Sequence, residues 1–177
     1  MCLAKILDML KKPATLSIPH PEEPRNPLAT IDSVSFYLVL EKWFSDWGVP
    51  AEYQDFWRRW PVVLVPNLTY LGNPYPALTW GDQTELDPTW CNPGVLAHEM
   101  AHKSWSQLTE WQRSAFNTAY TRLAIGEDKL LNFCWHQIAY MRTTWGQNNN
   151  IEGHADCYRY LGKKMPQELK EFYPRLF

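Results

Sequence analysis

The chain has 177 residues, of which 45% are hydrophobic and 20% charged, and its formal net charge is −2. A chain of this length and composition folds as one globular domain with a hydrophobic core, which excludes an intrinsically disordered protein. The sequence has no long run of Lys or Arg, and phosphate binding requires clustered basic side chains, so we expect no nucleic acid as a partner.

The first 29 residues differ in pattern from the rest of the chain. Apolar residues recur at helical spacing over residues 3–12, which predicts one short amphipathic helix. Residues 18–27 contain four prolines, which exclude a helix or an inner strand and indicate a linker or an extended arm. We therefore expect an N-terminal helix and proline-rich arm over residues 1–29, followed by a single domain over residues 30–177.

No segment has the pattern of a membrane span or of a secretory signal. No stretch approaches the roughly 18 to 20 apolar residues that a membrane span needs, and the apolar run near the N-terminus is too short for a signal peptide. The four cysteines show no CxxC pairing or regular spacing, which is typical of reduced thiols. We therefore expect a cytoplasmic protein with no membrane as a partner.

From residue 31 the chain shows helical and then extended patterns. A helix is predicted from Asp32 or Ser33 to about Trp47, and a second short helix follows Pro50. These two helices precede the extended part of the chain.

The extended part is short and is followed by helices. Residues 61–65 form a β-branched run of strand length, and two extended stretches flank Gly81-Asp82, which indicates a tight hairpin turn. After Trp90 the remainder has helical patterns. This order predicts an α+β domain with a small antiparallel β-sheet, then a helix carrying the candidate site, then a helical C-terminal subdomain.

Two histidines lie four residues apart in the sequence AHEMAH. Asn92 can cap a helix here and Pro93 fits its first position, so His98 and His102 are expected on one helical face. This spacing lets two imidazoles bind one metal ion. Glu99 points about 100° away and can take a proton from a water at the metal. The alternative is two histidines on a partly exposed face beside an unrelated glutamate.

A catalytic zinc site needs a third protein ligand. The chain has Trp105 and Leu108 where the motif HExxHxxGxxH requires Gly and His, which excludes a metzincin, and the next histidine is His136. Glu152 and Asp156 lie four residues apart and share a face on a helix. Glu152 can therefore bind the metal while Asp156 accepts the outer N–H of a ligating histidine. The alternative is a solvated acidic face.

The other three histidines are expected to lie outside the site. His154 lies about 200° around the helix from Glu152, so it points toward the core or another surface. His136 is expected to be structural, and His20 in the proline-rich arm is expected to be exposed.

HEMAH followed at a distance by EGHAD resembles the gluzincin group of zinc metallopeptidases, and the compact layout is similar to the minimal members called minigluzincins. The resemblance covers roughly residues 60–165. It implies a zincin-like fold in which a HExxH helix and a later glutamate helix meet across one Zn²⁺ ion. The site residues that it implies are the zinc ligands His98, His102 and Glu152, the general base Glu99, and Asp156, which orients a ligand.

Two segments beside these motifs are interpreted through the resemblance. The stretch 103–151 is longer and richer in Trp than the family pattern, with one predicted helix starting at a capping box of Thr109 and Gln112 and another passing through Phe133 to about Thr144. In gluzincins an edge strand above the site pairs with extended substrate. The hairpin over residues 76–87 is in the matching place, and the alternative is a purely structural hairpin.

The function implied by the resemblance is zinc-dependent hydrolysis of peptide bonds in a peptide or protein substrate. HExxH also occurs in enzymes that cut other bonds, so this choice depends on the resemblance. Tyr140 or Tyr160 could donate to the oxyanion of the transition state, or either could belong to the core or the rim.

Three other interpretations remain open. The N-terminal arm could lie across the groove and keep the enzyme latent. The chain could be a non-catalytic, zinc-stabilised module that holds a protein partner in an aromatic groove, although its ten Trp and nine Tyr could equally fill the core. It could also be a metal-free helical interaction domain.

Overall fold

The computed structural model describes residues 15–16, 33–124 and 151–177. The predictions that fall outside these residues are the helix over 3–12, the proline-rich arm over 18–27, the domain boundary at residue 29, the helix through Phe133 to Thr144, and the placements of His20, His136 and Tyr140.

Six α-helices occur among the described residues. They are α1 (Ser33–Trp47), α2 (Ala51–Arg58), α3 (Pro93–Ser106), α4 (Glu110–Ala124), α5 (Ile151–Leu161) and α6 (Gln167–Lys170), with 3-10 turns at Pro88–Trp90 and Gly162–Lys164. None of these helices is both long and apolar enough to cross a bilayer.

Local capping residues determine where two of these helices begin. Asn92 Oδ1 accepts a hydrogen bond from the backbone N–H of Val95 at 2.9 Å, and Pro93 is the first residue of α3. Thr109 and Gln112 form a capping box before α4, with the Thr109 N–H donating to the Gln112 side chain at 2.9 Å and the Gln112 N–H donating to the Thr109 hydroxyl at 3.2 Å. Both predicted helix starts are confirmed.

Six short strands precede α3 in the described part of the chain. They are β1 (Thr15–Leu16), β2 (Val62–Leu64), β3 (Thr69–Tyr70), β4 (Asn73–Pro74), β5 (Ala77–Thr79) and β6 (Thr84–Leu86). One sheet has the strand order β1-β5-β6-β2, and β3 and β4 form a separate antiparallel pair. The predicted hairpin around Gly81-Asp82 is confirmed, because β5 pairs antiparallel with β6 and the Trp80 N–H donates to the Gln83 carbonyl at 2.8 Å.

The direction of β2 corrects one prediction. β2 runs parallel to β6, with Val62 opposite Thr84, so the sheet is mixed and the prediction of an antiparallel sheet is wrong in this respect. The chain runs along β2, returns along β5 and runs forward again along β6. Placing β2 beside β6 instead of β5 therefore makes that pairing parallel. The α+β class is confirmed.

The first strand belongs to the N-terminal part of the chain. β1 pairs antiparallel with β5, with Thr15 opposite Thr79 and Leu16 opposite Leu78. It also approaches α5. The edge of β5 that faces away from β6 therefore has a chain segment paired to it.

The main core lies between the helices and is built largely from rings. Trp43 of α1 and Trp57 of α2 are buried and meet edge to face with ring centroids 5.7 Å apart. The helix α3 packs along α5, and Ala97 and Ala101 on α3 are completely buried. These tryptophans therefore support the core interpretation of the high Trp content.

The segment after α6 connects three helices through its carbonyl oxygens. The Phe172 carbonyl accepts a hydrogen bond from His154 of α5 at 2.8 Å, and the Pro174 carbonyl accepts one from Ser104 of α3 at 3.3 Å. The Arg175 carbonyl accepts one from the Trp57 indole of α2 at 2.7 Å. This segment therefore fixes α2, α3 and α5 relative to one another.

Candidate metal centre

His98 and His102 lie on one face of α3, as the four-residue spacing predicts. Both side chains are buried, with their rings edge to face and their Nε2 atoms 3.1 Å apart. Two imidazoles therefore point at the same small volume.

Glu152 brings a carboxylate to this volume from the first turn of α5. Its Oε2 lies 3.2 Å from His98 Nε2, and its Oε1 lies 3.6 Å from His102 Nε2. Ligand atoms held at about 2.0–2.1 Å from one ion in tetrahedral geometry lie about 3.3 to 3.4 Å from one another. The three side chains thus form a buried group that could hold a metal ion, and three protein ligands are the number found in catalytic zinc sites.

Asp156 lies one turn after Glu152 and contacts the far side of His98. Its Oδ1 is 2.9 Å from His98 Nδ1. A carboxylate in this place accepts the Nδ1 proton, so the neutral form of His98 has its lone pair on Nε2, which faces the centre. The predicted contact between Asp156 and one of the two histidines is therefore present.

The electrostatics of the group favour a cation. Burial lowers the pKa of His98, but the hydrogen bonds and negative charges of Asp156 and Glu152 outweigh it and raise that pKa to about 10. Burial raises the pKa of Glu152 to about 7 against the opposing effect of His98. Burial, with the positive charge of a protonated His98, holds the pKa of His102 well below its usual value. Buried lone pairs that face one another need a proton or a metal ion between them.

Glu99 follows His98 on α3 but lies against the sheet. Its carboxylate is completely buried, and its Oε2 accepts a hydrogen bond from the Thr79 hydroxyl at 2.8 Å. Glu99 does not belong to the group of three ligand side chains found among the described residues. Its negative charge nevertheless contributes to the raised pKa of Glu152.

His154 points away from the ligands, which confirms the prediction of a structural histidine. Its Nε2 donates to the Phe172 carbonyl at 2.8 Å, and its ring stacks on Tyr173 with centroids 3.9 Å apart. Burial lowers the pKa of His154 to about 3. The ring is therefore neutral over the usual range of pH.

Two residues near the centre were not predicted from the sequence. The Thr79 hydroxyl donates a hydrogen bond to the Glu99 carboxylate. Burial raises the pKa of Tyr75, and Tyr70 and the nearby Glu152 carboxylate raise it further. These contacts join residues that are distant in the sequence, so no local pattern indicates them. The one available signal is the position of the hairpin just before α3, which brings Thr79 near that helix. Tyr160, for which an oxyanion role and a place in the core or rim were both open, packs against the core.

Comparison with known proteins gives no relative for this chain. No family model, no curated protein and no solved structure matches it. The functional argument therefore depends on the side chains of the site and on their surroundings.

Proposed function

We propose that the protein is a zinc-dependent metallopeptidase of zincin-like fold that hydrolyses peptide bonds in a peptide or protein substrate. The observation that carries the proposal is the convergence of His98, His102 and Glu152, two imidazoles and one carboxylate, at one buried point. When bound there, zinc would lower the pKa of a water molecule and polarise the carbonyl group to be cleaved.

Glu99 is the general base in this proposal. It directly follows the ligand His98, and it is buried on the side of α3 that faces β5. Its carboxylate takes a proton from the attacking water and passes it to the leaving amine. Asp156 holds the Nδ1 proton of His98, which keeps the lone pair of Nε2 directed at the centre.

The test replaces Glu99 by Gln, with Glu52→Gln on the exposed face of α2 as the matched control. The full chain, loaded with zinc, is assayed on casein and on a mixed library of fluorogenic peptides. We expect Glu99→Gln to keep its zinc but lose about 10²- to 10⁴-fold in kcat, and Glu52→Gln to match the wild type. Unchanged activity in Glu99→Gln would favour the non-catalytic, zinc-stabilised binding module. Protein that takes up no zinc would favour the metal-free interaction domain.

A second candidate is a latent form of the same enzyme, and the pairing of β1 with β5 favours it. A substrate in extended conformation binds to a peptidase by adding a strand to a free sheet edge. β1 lies on the edge of β5, with Thr15 opposite Thr79, the residue that contacts Glu99, and β1 also approaches the helix that carries Glu152. In this candidate the N-terminal segment takes the place of the substrate strand.

A further inference from the structure

A chain of hydrogen bonds connects the sheet to Glu99. The Trp60 indole N–H donates to the Thr84 hydroxyl at 3.0 Å, the hydroxyls of Thr84 and Thr79 are 2.9 Å apart, and the Thr79 hydroxyl is 2.8 Å from Glu99 Oε2. Thr79 and Thr84 are direct cross-strand partners in β5 and β6, and both are buried. The pairing register of the hairpin therefore places these two hydroxyls side by side.

The direction of these hydrogen bonds follows from the number of protons. An indole nitrogen only donates, and each hydroxyl has a single proton to donate. If Thr79 donates to the Glu99 carboxylate, it must accept from Thr84, and Thr84 in turn accepts from Trp60. Every proton in the chain then points toward Glu99, which is the arrangement that stabilises a buried carboxylate.

The helix α3 also contacts Trp60, the first residue in this series of hydrogen bonds. Lys103, four residues after Glu99, places its ammonium 4.5 Å from the centroid of the Trp60 ring and donates to the Gly81 carbonyl at 3.0 Å. Thr79 in addition contacts the backbone carbonyl of Glu99 at 3.3 Å. The helix α3 therefore contacts Trp60 through the cation–π interaction of Lys103 and contacts Thr79 through Glu99.

We propose that Thr79, supported by Thr84 and Trp60, is a positioning residue that anchors the Glu99 carboxylate through Oε2. This inference rests on the proposed function, in which Glu99 is the general base. A base has to stay within hydrogen-bond reach of the water that it deprotonates, and a displacement of about 1 Å can reduce the rate about a hundredfold. Anchoring one oxygen limits such displacement of the other.

The kinetic test compares Thr79→Val, which removes the hydroxyl at nearly constant shape, with Thr79→Ser, which keeps it. We expect Thr79→Val to lose about tenfold to a hundredfold in kcat, with little change in KM or zinc content, and Thr79→Ser to restore most of the activity. In a Glu99→Gln background, Thr79→Val should cause no further loss. Thr118→Val, at an exposed position of α4, is the control.

A second readout does not depend on activity. The indole N–H resonance of Trp60 is identified in the NMR spectrum of the full chain by its loss in Trp60→Phe. We expect Glu99→Gln to shift this resonance in the otherwise wild-type protein. In a Thr79→Val background, we expect Glu99→Gln to leave the resonance unchanged. A shift that disappears when Thr79 is Val reports the hydroxyls of Thr79 and Thr84 that connect Trp60 to Glu99.

The two readouts separate the inference from the proposed function. A wild-type protein without turnover, but with a coupled Trp60 resonance, would refute the peptidase while supporting the anchoring of Glu99. An active wild type in which Thr79→Val keeps full kcat and the Trp60 resonance does not respond to Glu99→Gln would refute the anchoring alone.

Discussion

Glu152 and His154 lie two positions apart on α5 and have opposite surroundings. The carboxylate of Glu152 faces the two histidines of α3, whereas the His154 ring lies between Tyr173 and Phe116, with ring centroids at 3.9 and 5.0 Å. Histidine is a common metal ligand, but His154 has a packing role, because its position on the helix directs its ring into the core.

This contrast predicts how His154→Ala will behave. The substitution removes a stacked ring and leaves the Phe172 carbonyl without its buried donor. We expect a loss of about 2 to 4 kcal/mol in the free energy of unfolding, measured by urea denaturation, with the zinc content unchanged. A protein of normal stability that has lost its zinc would identify His154 as a ligand instead.

At the level of single residues, the sequence predicts local relations well. The shared face of His98 and His102 follows from their spacing, and the contact of Asp156 with a histidine is consistent with its place one turn after Glu152. The contact between Glu152 and His98 spans 54 residues, and no local pattern encodes it. The need for a third ligand and the lack of a nearby histidine pointed to Glu152, and the resemblance to gluzincins implied the same residue.

Among the elements, α5 ends at a glycine that the packing requires. Gly162 has φ +46°, and a Cβ atom there would lie 3.2 Å from Trp47 Cδ1. The Trp47 indole in turn donates to the Tyr158 carbonyl at 3.1 Å. The end of the helix that carries Glu152 is thus held against α1.

Gly162→Ala and Gly72→Ala form a matched pair that tests this contact. Both glycines have positive φ, but a Cβ atom on Gly72 would meet nothing within 4 Å. We expect a loss of about 1 kcal/mol for Gly72→Ala from backbone strain alone, and about 2 kcal/mol or more for Gly162→Ala, because overpacking adds to the strain. Equal losses in urea denaturation would contradict a role for the Trp47 contact.

The elements also differ in how far a sequence can predict them. Helix starts were predictable because a cap such as Asn92 acts within three residues of its own position. The parallel pairing of β2 was not, because a β-branched run favours an extended backbone without specifying its neighbour or direction. β1 depends in the same way on a partner more than 60 residues away along the chain.

At the scale of the whole molecule, the candidate site is the meeting point of three parts. The helix α3 carries His98, His102 and Glu99, α5 carries Glu152, and the hairpin β5–β6 contacts Glu99 through Thr79. β1 lies beside two of these parts. In the latent candidate, access to the site therefore depends on the N-terminal segment.

Removal of that segment tests the latent candidate. We expect deletion of residues 1–28 to raise kcat/KM on a peptide substrate, because β5 regains a free edge. Leu16→Pro, which removes a backbone donor from β1, should raise it in the same direction within the full chain. A synthetic peptide of residues 1–28 should inhibit the deletion variant. Unchanged kcat/KM in both variants, with zinc content and thermal stability preserved, would contradict latency.

The carbonyl oxygens that join α2, α3 and α5 have a consequence for biogenesis. The segment that contains Phe172, Pro174 and Arg175 leaves the ribosome after α2, α3 and α5, whose side chains donate hydrogen bonds to its carbonyl oxygens. Domains generally fold as units during translation, so the ligand helices can reach their final arrangement only after this late segment has been synthesised. In the proposed function, metal binding would then be a late step of maturation, and a nascent chain stalled before residue 172 would present His98 and His102 before α5 is fixed beside them.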